Sequence, residues 1–282
     1  MKKIIVDIYG GIGNQIFQYS FAHNLRSQGY LVSVNTKINK KDNNQMITNR
    51  KRLLDPELFE FNNSNIIYIS MFEALNIIDP KKKLLYRLRK YLSWQNENNF
   101  DIKKLVKLNR LTGHWQNIDA FLENKNFIKQ SIQKLGNFKD KDEINFNDDG
   151  LTAIHIRRGD YVDLDLTLSL NYYKNAINMA KKSIKNFKFE VFSDDIEWAK
   201  SAKIFNKCIK FNEYSNSEQS NLEDFKKLFK FKNYIISNST FSLIPALLNS
   251  DKNGKVFYPD PWIKDKKLIN KPKDNWIMIK DE

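Results

Sequence analysis

The sequence predicts an α/β protein made of two units, with a parallel, doubly wound sheet. Three observations carry this. Near the N-terminus an apolar strand runs into a glycine-rich turn and then an apolar helix. From residue 151 onward short apolar strands alternate with helix-length amphipathic segments, the rhythm of βαβ units. Between the halves, residues 136–150 are polar and charge-mixed, as an inter-domain connection should be. The expected domains are 1–145 and 150–282, consistent with the roughly 100–200 residues a domain usually needs.

Taken in order, Ile4, Ile5 and Val6 open the first strand. With the lysines before them they imitate a signal peptide. Asp7 breaks the apolar run and no small-residue cleavage site follows, so a strand is the better reading. No run approaches the roughly 18–20 apolar residues of a membrane span, and a cytoplasmic protein is expected. The loop Gly10-Gly11-Ile12-Gly13-Asn14-Gln15 comes next, and Ile16, Phe17, Phe21 and Leu25 follow at helical spacing. It is not a dinucleotide fingerprint, because Ile16 stands where the third glycine belongs, and no Gly-Lys-Ser/Thr makes it a lysine phosphate loop. Gly11 and Gly13 still permit close backbone approach, and the Asn14 and Gln15 amides can bond hydroxyls or phosphate. A tight strand–helix turn with ordinary polar residues is the competing reading.

Residues 30–35 alternate as a second strand, and 36–52 read as a polar loop. Residues 81–92 place leucines at 84, 85, 88 and 92 among cations, a basic amphipathic helix. Its leucines suit packing on the domain core; an anionic membrane surface is the alternative. At 111–117, His114 and Trp115 lie beside Gly113, an arrangement suited to a sugar ring, though Trp115 suits a core equally.

In the second half the pattern predicts strands at 151–156, 187–192, 207–211 and 234–236. Helices are predicted at 172–184, around Trp198, at 217–231 and through Leu248. Parallel strands would bring three polar clusters to one sheet edge: His155 to Asp160, Ser193 to Asp195, and Ser237 to Ser242. Arg157 and Arg158 carry forked donors that match phosphate oxygens. Asp194 and Asp195 are acceptors for a guanine edge or ribose hydroxyls, and Ser239 and Thr240 open a helix whose N-terminus favours phosphate. Each has a structural alternative: an Arg–Asp pair at a strand end, or Asp194 and Ser239 as helix caps.

With 47 basic against 33 acidic side chains the chain carries +14, which favours an anionic partner. Nucleic acid is not expected, because aromatics are not interleaved with the basic runs as a stacking surface requires. A lone cysteine, Cys208, excludes an internal disulfide, and His23, His114 and His155 lack metal-ligand spacing. Asp163 with Asp165, and Asp194 with Asp195, are weak metal signals; the two arginines already supply countercharge, so neither metal nor cofactor is expected.

Four segments occur together in this order: residues 10–19 (Gly10-Gly11-Ile12-Gly13-Asn14-Gln15-Ile16-Phe17-Gln18-Tyr19), 155–161 (His155-Ile156-Arg157-Arg158-Gly159-Asp160-Tyr161), 192–195 with Trp198, and 237–242. The combination resembles the bacterial α-1,2-fucosyltransferases from residue 4 to about 250. The resemblance implies two Rossmann-like domains in the B-type glycosyltransferase fold, a GDP-fucose donor, inversion at the fucose carbon and no required metal. It also implies that Arg157 meets the donor's β-phosphate with His155 nearby, that Asp194 meets guanine, and that Ser239 and Thr240 approach the phosphates.

The expected donor contacts are therefore Gly11, Gly13, Asn14, His155, Arg157, Arg158, Ser193, Asp194, Asp195, Ser239 and Thr240. Gln15, His114 and Trp115 are expected at a galactose-terminated, lipid-linked acceptor. Arg157 would act on the leaving group, with a catalytic base among Asp160, Asp163 and Asp165. Two departures from the family pattern stand out: His114 replaces an aromatic, and Leu243-Ile244 replaces a Trp-Trp pair.

Overall fold

A computed structural model of the chain describes residues 2–36, 54–61, 66–67, 109–135, 150–213, 218–249, 253–263 and 275–281. The expected helix at 81–92, the loop at 37–52 and residues 136–149 lie outside the described residues. The chain divides into two compact units, Met1–Phe138 and Lys139–Glu282.

The first unit contains β1 (Lys3–Asp7), α1 (Ile12–Ser27), β2 (Leu31–Asn35), β3 (Ile66–Ile67), β4 (Arg110–Leu111), α2 (Ile118–Glu123) and α3 (Lys125–Lys134). Its sheet has the order β3-β2-β1-β4, and every pairing is parallel. α1 is buried almost all round: Ile12, Ile16, Phe17, Phe21 and Leu25 are covered, but so are Gln15, Gln18 and Asn24. A helix buried this way must satisfy its polar side chains internally, and that demand shapes the loops around it. β4 is not anticipated by the sequence, where residues 111–117 read only as a polar and aromatic segment.

The second unit contains β5 (Leu151–Ile156), α4 (Gly159–Asp163), α5 (Leu170–Ser183), β6 (Lys188–Ser193), α6 (Ile196–Ser201) and β7 (Lys210–Glu213). It continues with α7 (Glu218–Leu228), β8 (Asn233–Ile235), α8 (Thr240–Asn249), β9 (Val256–Asp260) and β10 (Trp276–Lys280). The sheet order is β10-β9-β8-β5-β6-β7, all parallel. Numbered within the unit this reads 6-5-4-1-2-3, the dinucleotide-fold order traversed backwards, with its switch point between β5 and β8. β5 itself is an uninterrupted buried run, as a strand covered on both faces must be.

α5 shows how the sequence sets an element. Ser169 caps it, its hydroxyl accepting the Tyr172 N–H at 3.1 Å. Tyr172, Tyr173, Ala176, Ile177 and Ala180 then recur on one face and pack with Ile154, Ile156, Val191 and Ile235 of the sheet. Boundaries differ from expectation where apolar residues are sparse: β7 covers 210–213, not 207–211, and α7 ends at Leu228 before a turn.

Candidate active site

In the second unit the register decides which side chains meet. Ile156 pairs with Ser193, so Arg157 and Asp194 leave adjacent strands side by side. Arg157 Nη1 donates to Asp194 Oδ2, and its Nη2 donates to Asp160 Oδ1. The other Asp194 oxygen accepts the Arg158 backbone N–H at 2.7 Å. A Cβ at Gly159 would lie 2.7 Å from Asp194 Oδ2, so a side chain there would push that carboxylate aside. Arg158 Nε pairs with Asp195 Oδ2 at 2.9 Å, and its guanidinium lies 4.1 Å over the Trp198 ring. Asp195 also caps α6, with Oδ1 accepting the Trp198 N–H at 3.2 Å. The cap on this helix is thus Asp195, while Asp194 serves the arginines. Two guanidiniums here face three carboxylates, so the cluster carries one more negative charge than positive.

On the other side of β5, His155 is 3% exposed, and its Nδ1 lies 2.8 Å from Ser237 Oγ and 2.9 Å from Ser242 Oγ. Burial lowers its pKa to about 4, with Asp194 pulling the other way, so the ring is neutral at neutral pH. His155 therefore fastens the end of β5 to the β8–α8 segment. Within that segment Ser239 Oγ accepts the Phe241 N–H at 3.4 Å, and α8 begins at Thr240 on the same edge. Ser193 is fully buried and accepts the Asp195 N–H at 3.0 Å. Tyr161 reaches across, donating to the Asn238 carbonyl at 3.2 Å, and burial raises its pKa. Asn238 lies within the Ser237–Ser242 cluster but is not among the donor contacts expected from sequence. Its Nδ2 donates to the Leu166 carbonyl at 2.9 Å, while among the described residues its buried Oδ1 meets no hydrogen-bond donor.

Asp163 and Asp165 are exposed; Asp165 sits in the left-handed region at φ 51°. Among the described residues no group of three or more His, Cys, Asp or Glu is placed to hold a metal ion.

The first unit collects polar groups at its own switch point, between β1 and β4. Gly10 turns the chain at φ +83°. Gln15 is fully buried, donating to the Gly10 carbonyl at 2.7 Å and accepting the Leu54 N–H at 2.8 Å. Gln18, also fully buried, accepts the Tyr9 N–H at 2.8 Å and donates to the Gly113 carbonyl at 3.1 Å. Trp115, expected at an acceptor, is 1% exposed and stacks 4.1 Å from Phe21, with its backbone at φ 54°. Gln15 and Trp115 thus lie inside the unit. Asn14 and His114 are half-buried: Asn14 Oδ1 accepts from Gln116 Nε2 at 3.0 Å, and His114 lies 5.3 Å from the Tyr9 ring. Gly13 is buried and Gly11 partly exposed at the start of α1. Beneath them Asp7 accepts from Asn35 at 2.7 Å, Arg110 Nε at 2.9 Å and Thr112, tying together the ends of β1, β2 and β4. Asp7, Tyr9, Gln18 and Gln116 are not among the contacts expected from sequence; Gln18 falls inside the 10–19 motif, but its partners, like those of Asp7 and Gln116, come from other segments of the fold.

The fold and site together define a two-unit α/β protein with an arginine–carboxylate cluster at a strand-order switch. The profile of glycosyl transferase family 11 matches residues 3–280, and the chain belongs to that family. The resemblance carried by the four motifs is thereby established at the family level. An alpha-1,2-colitosyltransferase of Escherichia coli is 28% identical over 303 residues, covering 99% of both chains. The O-antigen biosynthesis glycosyltransferase WbnK of Escherichia coli is 32% identical over 135 residues, 45% of this chain and 44% of that one. Among solved structures, fucosyltransferase NodZ from Bradyrhizobium aligns over 87% of this chain and 92% of its own, at 12% identity and a TM-score of 0.47.

Proposed function

We propose that this glycosyltransferase moves L-fucose from GDP-β-L-fucose to the 2-hydroxyl of a terminal galactose, with inversion and without a metal. The observation that supports it most is the Arg157–Arg158 pair at the switch edge of the second unit, beside the N-terminus of α8. When the glycosidic bond to phosphate breaks, negative charge grows on the departing diphosphate. Guanidiniums already held in place stabilise that charge without reorganising. Arg157 takes the β-phosphate, Arg158 supports it, and Ser239 and Thr240 approach from the helix end. The acceptor's proton passes to a carboxylate among Asp160, Asp163 and Asp165. Asn14 and His114 are the half-buried groups of the first unit that can meet sugar hydroxyls. The acceptor is a lipid-linked surface glycan, and the enzyme works on the cytoplasmic side of the membrane. Among the described residues no helix is long and apolar enough to cross a membrane.

A second reading has its own support. The relative matching 99% of the chain is named for colitose transfer, so a GDP-activated colitose is the competing donor. Calorimetric titration with GDP, GDP-fucose, GDP-colitose and GDP-mannose, with and without chelator, separates them. Fucose transfer is expected to survive chelator and to give an α-1,2 linkage by NMR. Failure to bind any guanine nucleotide would overturn both readings.

A further inference from the structure

Both terminal nitrogens of Arg157 already donate to a carboxylate. Nη1 meets Asp194, Nη2 meets Asp160, and the Tyr161 ring lies 5.3 Å from Cζ; the arginine side chain is only 6% exposed. The two carboxylates are not equivalent. Asp194 is 11% exposed, bonds the Arg158 N–H with its second oxygen, and fills the space that Gly159 leaves. Asp160 is 52% exposed and stands on a helix of five residues, outermost over Nη2. An anion arriving from solvent meets Asp160 first. It cannot bind beside it without placing like charges on one nitrogen.

We propose that Asp160 is a positioning residue, an internal anion that holds Arg157 until a diphosphate displaces it, and that this exchange sets donor and product affinity. The proposal rests on Arg157 being the phosphate ligand. No bond is made or broken; one guanidinium partner replaces another. The exchange keeps a nearly buried cation paired in both states, which avoids the cost of an uncompensated buried charge. A half-exposed ion pair contributes little on its own, so Asp160 is cheap to displace, whereas Asp194 is not.

The test is GDP titration by calorimetry on the wild-type chain, Asp160→Asn, Asp160→Ala and Asp194→Asn, with guanosine as a phosphate-free control. Removing the competing charge at Asp160 should tighten GDP about three- to tenfold, in line with the small free energy of such a pair. Guanosine binding should not change, and Asp194→Asn should weaken GDP. If both Asp160 variants bind GDP equally or more weakly while their thermal unfolding matches wild type, Asp160 is a fixed clamp and the exchange is wrong. If the wild-type chain binds no GDP, the phosphate reading itself fails, a result distinct from the first.

Discussion

At the switch edge of the first unit, Gln15 and Gln18 are completely buried and bond four backbone groups of the surrounding loops. At the switch edge of the second, Arg157 and Arg158 meet Asp160, Asp194 and Asp195 with graded exposure. Both edges follow one topology, yet they use different chemistry. Neutral amides, once buried, have no reason to leave, because exchanging them for water exposes unpaired backbone groups. Ion pairs near solvent trade partners readily, because water and incoming anions compete for the same nitrogens. The amide edge holds its loops in place; the charged edge is the one where we place the anion exchange.

Substitutions can break that contrast, and the largest effect should come from the charged edge. Arg157→Ala should lower sugar transfer by about 10²–10³-fold, as loss of one preorganised donor to a developing oxyanion typically does. Arg157→Lys should recover little of it, since an ammonium lacks the fork that spans two oxygens. Near-normal turnover in a folded Arg157→Ala enzyme would end the assignment.

Next comes pH. His155 stays neutral when folded down to about pH 4, but in the unfolded chain it takes a proton below its ordinary 6.5. The unfolded state therefore binds more protons between those values, and stability falls as pH drops through that window, by up to about 3 kcal/mol at its foot. Urea unfolding of wild type and His155→Asn at pH 7 and pH 5 should show a shallower pH dependence in the variant; parallel curves would contradict it.

The amide edge should respond in stability, not chemistry. Gln18→Leu leaves the Tyr9 N–H and the Gly113 carbonyl without their partner, a loss of about 2 kcal/mol in chemical denaturation. An unchanged midpoint would mean that water replaces the amide there. The smallest effect is expected from Trp198→Ala, which removes the ring beneath Arg158. GDP affinity should weaken by about 0.5–1 kcal/mol, the usual worth of a partly exposed cation–π contact, measured by calorimetry. A larger loss would promote Arg158 to an equal partner of Arg157.

Much of the fold is readable from the sequence because its signals are local. The apolar run of β5, the helical spacing of Tyr172, Tyr173, Ala176 and Ile177, and the strand–glycine–helix opening each state their element without help from distant residues. β7 is misplaced because Lys210-Phe211-Asn212-Glu213 offers a single apolar residue to read. β9 and β10 are not anticipated, although both pair along five residues each, and β4 is too short to leave a pattern. For the candidate site, the sequence identifies the arginines and the aspartates as a group. It does not separate them, since Asp194 and Asp195 are chemically alike and adjacent.

What the sequence by itself determines is therefore composition at each strand end: which edge carries amides, which carries charge, and that a parallel sheet would gather them. Only the tertiary structure decides who holds whom. The register of β5 on β6 gives Arg157 to Asp194, the glycine at 159 leaves that carboxylate room, and the burial of α1 turns Gln15 and Trp115 inward. The physical reason is distance. Propensity and periodicity act within a few residues, whereas these hydrogen bonds and ion pairs join strands, loops and helices as much as 105 residues apart, as Thr112 and Asp7 do.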